Sequence, residues 1–158
     1  LALKPLLPVF LSYVLSFLYV AIYWNNHHHL MHTVKHVSAS ILWTNMHLLF
    51  WLSLVPFATA WMGENHFASM PSALYGLILL MAGFAYWLLQ KAIIRSHGNE
   101  SILAKAIGGD IKGYGSIVLY AIAIPLSVYQ EILAGGIYVL VALWWLIPER
   151  RIEHELTK

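Results

Sequence analysis

Charge is what this chain has least of. Asp, Glu, Lys and Arg together make 10% of its 158 residues and hydrophobic residues 60%, where a soluble domain carries roughly 25% charged residues. The few charges lie between the apolar runs or near their ends, and mean hydropathy is +0.69. That combination excludes a soluble globular enzyme and describes a polytopic membrane protein. Cysteine is absent, so disulfides and thiolate metal sites are excluded. Acids are missing from the apolar runs, which removes the carboxylate relay of a proton pump. Also missing are a P-loop, a glycine-rich nucleotide fingerprint, a Ser-His-Asp arrangement and a Thr-Val-Gly-Tyr-Gly filter; Lys112-Gly113-Tyr114-Gly115 is a superficial echo of the last. The opening apolar run is too long for a signal peptide and lacks a basic start and a cleavage site. The net charge of +2 reports loop lysines and arginines, hence topology, and gives no reason to expect nucleic acid.

Five apolar runs are read as helical spans: residues 6–34, 39–62, 71–95, 113–130 and 132–147. About 20 apolar residues cross a bilayer. The last two runs are short and meet in a tight turn near Gln130-Glu131, which predicts an antiparallel hairpin. Pro56 interrupts the backbone bonding of the second run and predicts a bend there. Gly76, Ala82, Gly83 and Ala85 in the third run permit close helix contact. Residues 96–112 are too polar to span, and Ile102, Leu103, Ala106 and Ile107 recur at the spacing of a short interfacial helix. The fold class expected is all-α, one transmembrane domain over residues 1–158.

On a five-span path Lys35, Lys91, Arg95, Lys105, Lys112, Arg150, Arg151 and Lys158 fall on one side, and Lys4 on the other. The positive-inside rule makes the eight cytoplasmic, and with them the C-terminus of a multi-pass plasma (inner) membrane protein. Residue 1 then starts outside, and the chain begins on Leu1, not Met. A sixth span ahead of Leu1 is the expectation that reconciles these.

The densest polar feature is Trp24-Asn25-Asn26-His27-His28-His29-Leu30-Met31-His32-Thr33-Val34-Lys35-His36, holding five of the nine histidines. His28 or His29, His32 and His36 recur at three- and four-residue spacing and share a helix face. Three readings stay open. The imidazoles cap a helix end at the interface; or His28 and His32, with His36 beyond, ligate zinc, copper or iron; or the cluster braces a neighbouring helix. A bis-histidine haem site between His28 or His29 and His47 is a variant of the second. Metal or haem oxidation is therefore the alternative function, although His47, His66, His97 and His154 are isolated. Asn45, inside an apolar run, needs a partner on another helix. Trp43, Trp51, Trp61, Trp87, Trp144 and Trp145 read as interfacial anchors, and Glu131 as a solvated carboxylate.

Tyr23-Trp24-Asn25-Asn26-His27-His28 with Leu30, then Leu42-Trp43-Thr44-Asn45, Leu49-Phe50 and Leu54-Val55-Pro56-Phe57-Ala58-Thr59, resemble the second and third helices of prokaryotic members of the transmembrane protein 175 family, relatives of the endosomal and lysosomal potassium channel. The resemblance implies six helices per subunit, a homotetramer in the lipid bilayer and passive flow of potassium ions through a central pore, with no cofactor and no catalytic residue. The family's Phe-Ser-x-x-Asp motif, on the pore-lining first helix, is not in this sequence, which agrees with the span expected ahead of Leu1. By motif match Trp24, Asn26, His27, His28 and Asn45 would form the polar network that holds that helix.

Overall fold

Hydrocarbon offers no partner to backbone N–H and C=O groups, so an apolar run that crosses it must satisfy them within itself, as a helix. The computed structural model describes residues 7–98, 101–107 and 110–147, and its elements are all helical: α1 (Leu7–His32), α2 (Ala39–Ser53), α3 (Val55–Glu64), α4 (Ser69–His97), α5 (Ile102–Ile107), α6 (Ile111–Tyr129) and α7 (Glu131–Leu146). The chain is an all-α membrane protein. Ala39–Glu64, Ser69–His97 and Ile111–Tyr129 are long and apolar enough to cross a membrane, and Glu131–Leu146 is a shorter apolar helix.

The second run, expected to bend at Pro56, is instead divided into α2 and α3 at Leu54. Proline has no N–H to bond back one turn and crowds the residues before it. Here it sits in the opening turn of α3, and Leu54 N–H bonds to Trp51 O at 3.2 Å across the joint. After Glu64 the chain reverses through His66 and Phe67, both at positive φ (51° and 61°), and Phe67 N–H ties the turn to Met62 O at 2.9 Å. Asp110 begins α6 by accepting from Gly113 N–H at 2.8 Å, the side-chain cap expected of Asp at that position.

α4 is the central post. It packs along α2 on one side and α6 on another, with α3 and α7 touching it as well, while α1 lies against α3 and α7. Ala82 and Ala85 are fully buried, and Gly83 faces Ile117 of α6. The small residues of this run are thus used for contacts within the chain. The core has two parts. One gathers Leu30, Ile41, Leu48, Leu89, Ile93 and Leu103. The other gathers Tyr19, Val55, Tyr75, Leu79, Tyr120 and Tyr138. Trp51 and Trp145 pack against both.

The second part is rich in tyrosine, and a hydroxyl there needs a protein partner. Tyr19 donates to the Tyr138 carbonyl, and Tyr138 donates to Ser72 O at 3.0 Å. Tyr75 makes edge-on contacts with both rings. These bonds tie α1 to α7 and α7 to α4.

The ends of the helices fall into two sets. His97 at the end of α4 meets the α1–α2 loop, and Lys112 Nζ at the start of α6 donates to Ile147 O after α7 at 2.9 Å. At the opposite end Ser69 donates to the exposed Glu131 carboxylate at 2.8 Å. Lys35, Arg95, Lys105 and Lys112 therefore share one end of the bundle; Lys4, Arg150, Arg151 and Lys158 lie outside the described residues.

Candidate functional site

α1 carries the polar sequence of greatest interest on its last two turns. Helical geometry spreads four consecutive polar residues around the axis at about 100° each, so Asn25 to His28 cannot all face one neighbour. The structure separates them into an inward set and an outward set.

Asn26 and His27 point inward. Asn26 is buried; its Nδ2 donates to Ile22 O at 2.9 Å one turn back and to Trp145 O of α7 at 3.2 Å. Its own carbonyl accepts from Tyr86 of α4 at 3.2 Å. One residue thus links three helices. His27 Nε2 lies 2.6 Å from Asn45 Oδ1 of α2. An amide oxygen only accepts, so Nε2–H of His27 is the donor in this bond.

Trp24 and His28 point outward. Trp24 is 63% exposed and stacks on His28, with ring centroids 5.2 Å apart and planes 15° from parallel. His28 Nε2 and His32 Nε2 are 3.0 Å apart on the same exposed face. Phe10, Tyr13, Phe17 and Leu18 of α1 are exposed too, at helical spacing consistent with one outward stripe. Of the five residues in the network expected from motif match, the structure joins His27 to Asn45 across α1 and α2 and ties Asn26 to α4 and α7. Trp24 and His28 contact each other on the outside.

The remaining histidines are dispersed. The face shared by His28, His32 and His36 is cut short because α1 stops at His32. His36 instead stacks on His97, centroids 5.0 Å apart and 8° from parallel. His97 Nε2 accepts from Lys35 N–H at 2.9 Å and from His36 N–H at 3.2 Å, and its Nδ1–H donates to Ile93 O at 3.1 Å. It thereby fastens the α1–α2 loop to α4. His47 Nε2 accepts from Trp51 Nε1 one turn on in α2 at 2.9 Å. Among the described residues no three His, Asp or Glu side chains gather as a metal set.

Sequence reasoning missed several connecting residues. Trp145, read as an anchor, donates its Nε1–H to Ser116 Oγ of α6 at 2.7 Å. Tyr19, Tyr86 and Tyr138 each bond to a backbone carbonyl of another helix. A signal was present: these tyrosines sit inside apolar runs, away from the interfaces where a hydroxyl reaches water. Around this junction Tyr19, Asn26, Tyr86, Asp110, Ser116 and Trp145 border a small cavity of about 20 Å³, room for one water.

A family model described as endosomal/lysosomal potassium channel TMEM175 matches residues 1–56, the window that holds Trp24 to His28 and Asn45. The chain is 54% identical over 155 residues to a potassium channel of Chryseobacterium sp. (strain P1-3), covering 98% of this chain and 81% of that one. It is 29% identical over 93 residues to a potassium channel of Streptomyces collinus (strain DSM 40733 / Tue 365), covering 56% of this chain and 45% of the relative. No solved structure matches.

Proposed function

This chain belongs to the endosomal/lysosomal potassium channel TMEM175 family, and from that premise we propose that it is a potassium channel subunit whose described helices are the scaffold of the pore. The observation that carries the reading is identity of 54% with a potassium channel over nearly the whole chain. The geometry supports the division of labour. α1 presents outward a stripe of Phe10, Tyr13, Phe17 and Trp24, and α2 presents Leu42, Trp43, Met46, Leu49 and Phe50. These are surfaces fit for further helices: one bearing the Phe-Ser-x-x-Asp motif, and those of neighbouring subunits in a homotetramer. His27 and Asn45, bonded to each other beneath that stripe, hold α1 and α2 at a fixed mutual rotation. Asn26 does the same for α1 against α4 and α7. Potassium flow through such an assembly is passive and asks no covalent step of any residue named above.

The test is flux. The full-length protein in liposomes is expected to carry potassium down its gradient in preference to sodium. Empty-liposome rates for both ions, with the protein verified as inserted and folded, would end the reading. Cross-linking in mild detergent that yielded monomers alone would end the tetramer while leaving the subunit assignment to the flux result.

The cation-rich end is proposed to be cytoplasmic, on the positive-inside rule. Ser96, exposed near the end of α4, reports it. A Ser96→Cys variant in intact cells is expected to resist an impermeant maleimide and to react after permeabilisation; reaction in intact cells would reverse the orientation.

A further inference from the structure

His28 and His32 have no part in the bonds that tie α1 to its neighbours, yet they are placed as a pair. They stand one turn apart at the end of α1, both exposed. Their Nε2 atoms lie 3.0 Å from each other, and the rings meet nearly edge-on, centroids 4.5 Å apart at 79°. Trp24, one turn earlier, lies flat against His28 and limits the rotation of that ring.

A hydrogen bond between two imidazoles in contact with water adds little to a fold, because water competes for both nitrogens. A cation uses the same geometry far better. Imidazole nitrogens bind a zinc-like ion at about 2.0–2.1 Å, so two of them in adjacent positions are about 2.8–3.0 Å apart at a right angle and about 3.3–3.4 Å apart at a tetrahedral angle. The observed separation is the first of these and reaches the second by a small ring rotation. Imidazole pairs suit zinc, copper and nickel, whereas calcium and magnesium ask for oxygen ligands, which no Asp or Glu supplies here among the described residues.

We propose that His28 and His32 form a two-histidine site for a late first-row divalent cation of the Zn²⁺, Ni²⁺ or Cu²⁺ class. Water fills the other coordination positions. Such a site exchanges its ion with the surrounding solution and clips together the last two turns of α1. Each nitrogen must be unprotonated to bind, so the ion competes with protons and occupancy falls as the medium is acidified. The site rests on the side-chain geometry of α1 alone and stands or falls independently of the channel reading.

Cu²⁺ added to the purified full-length protein is the probe, read by paramagnetic resonance, which distinguishes one equatorial nitrogen from two, and by titration. One ion per chain with two nitrogens is expected. His28→Ala and His32→Gln are each expected to weaken that binding by roughly tenfold or more and to leave a one-nitrogen spectrum, as loss of one of two protein ligands requires. His29→Ala and His66→Ala are the matched controls and are expected to change neither readout. Helicity and melting temperature without metal verify that each variant folds. A two-nitrogen spectrum surviving His28→Ala or His32→Gln would overturn the site. So would equal loss in His29→Ala, or binding no tighter than that of a protein lacking both histidines.

Discussion

Gly76→Ala is expected to destabilise the folded chain by about 2–3 kcal/mol, the upper half of the roughly 1–3 kcal/mol span for forcing a methyl into a filled core. That is roughly a 30- to 150-fold loss in the folded-to-unfolded ratio. A Cβ at Gly76 of α4 would run into the Tyr138 hydroxyl of α7 and lie 3.1 Å from Ile124 Cγ1 of α6. The tyrosine is poorly able to retreat. It is 3% exposed, its hydroxyl donates to Ser72 O, and its ring contacts Tyr75 edge-on at 5.3 Å. Tyr138→Phe alone gives up that hydrogen bond, at about 1 kcal/mol. In the Gly76→Ala background it removes the colliding atom, so the double variant is expected to be more stable than the sum of the two losses by about 1 kcal/mol or more. Reversible unfolding in detergent measures all three. Strict additivity would mean that the hydroxyl is not what the methyl meets.

The second large effect is expected at the bond between α1 and α2. His27→Ala leaves Asn45 Oδ1 without its donor, and Asn45→Leu leaves the imidazole without its acceptor. Helix-to-helix hydrogen bonds in membranes contribute about 0.6 kcal/mol on average and up to about 1.7. At 2.6 Å this one belongs near the upper figure, so each single variant is expected to lose about 1–2 kcal/mol. The double variant is expected to lose little more than either alone, since the bond is already broken. In liposomes the variants are expected to change the rate of potassium flux and to leave the preference for potassium over sodium where it was, because neither side chain is proposed to touch the ion. A shift in that ratio with His27→Ala would move His27 from the scaffold to the ion path.

How much of this was readable beforehand follows from which physical constraint each feature obeys. The all-α membrane fold was legible because hydrocarbon forces apolar runs into helices whatever their neighbours do. The need of Asn45 for a partner was legible on the same ground. Its pairing with His27 instead of His28 was not, because that depends on how far α2 is rotated about its axis relative to α1. Trp24, grouped with His27 and Asn45 by motif match, faces the outside with His28. His36 shows a second limit: spacing assigned it to the face of His28 and His32, but a helix face ends where the helix does, and α1 ends at His32. The loop it enters is set by His97, sixty residues on and invisible to any local pattern. The tyrosine bonds were hidden for another reason. Their acceptors are backbone carbonyls, which every residue has, so the sequence marks the donor and says nothing of the recipient.

The joint at Leu54 has a mechanical consequence. The crossing it divides meets its neighbours differently on each side: α2 runs along α4, while α3 lies against both α1 and α4. A straight rod presents one fixed face along its length. A crossing divided at Leu54 sets the face of each half separately, so α2 seats on α4 while α3 seats against α1 and α4 together. With His27 bonded to Asn45 and Asn26 tied to α4 and α7, the two halves join α1 to the central post as one frame. A further helix leaning on α1 would meet a fixed wall.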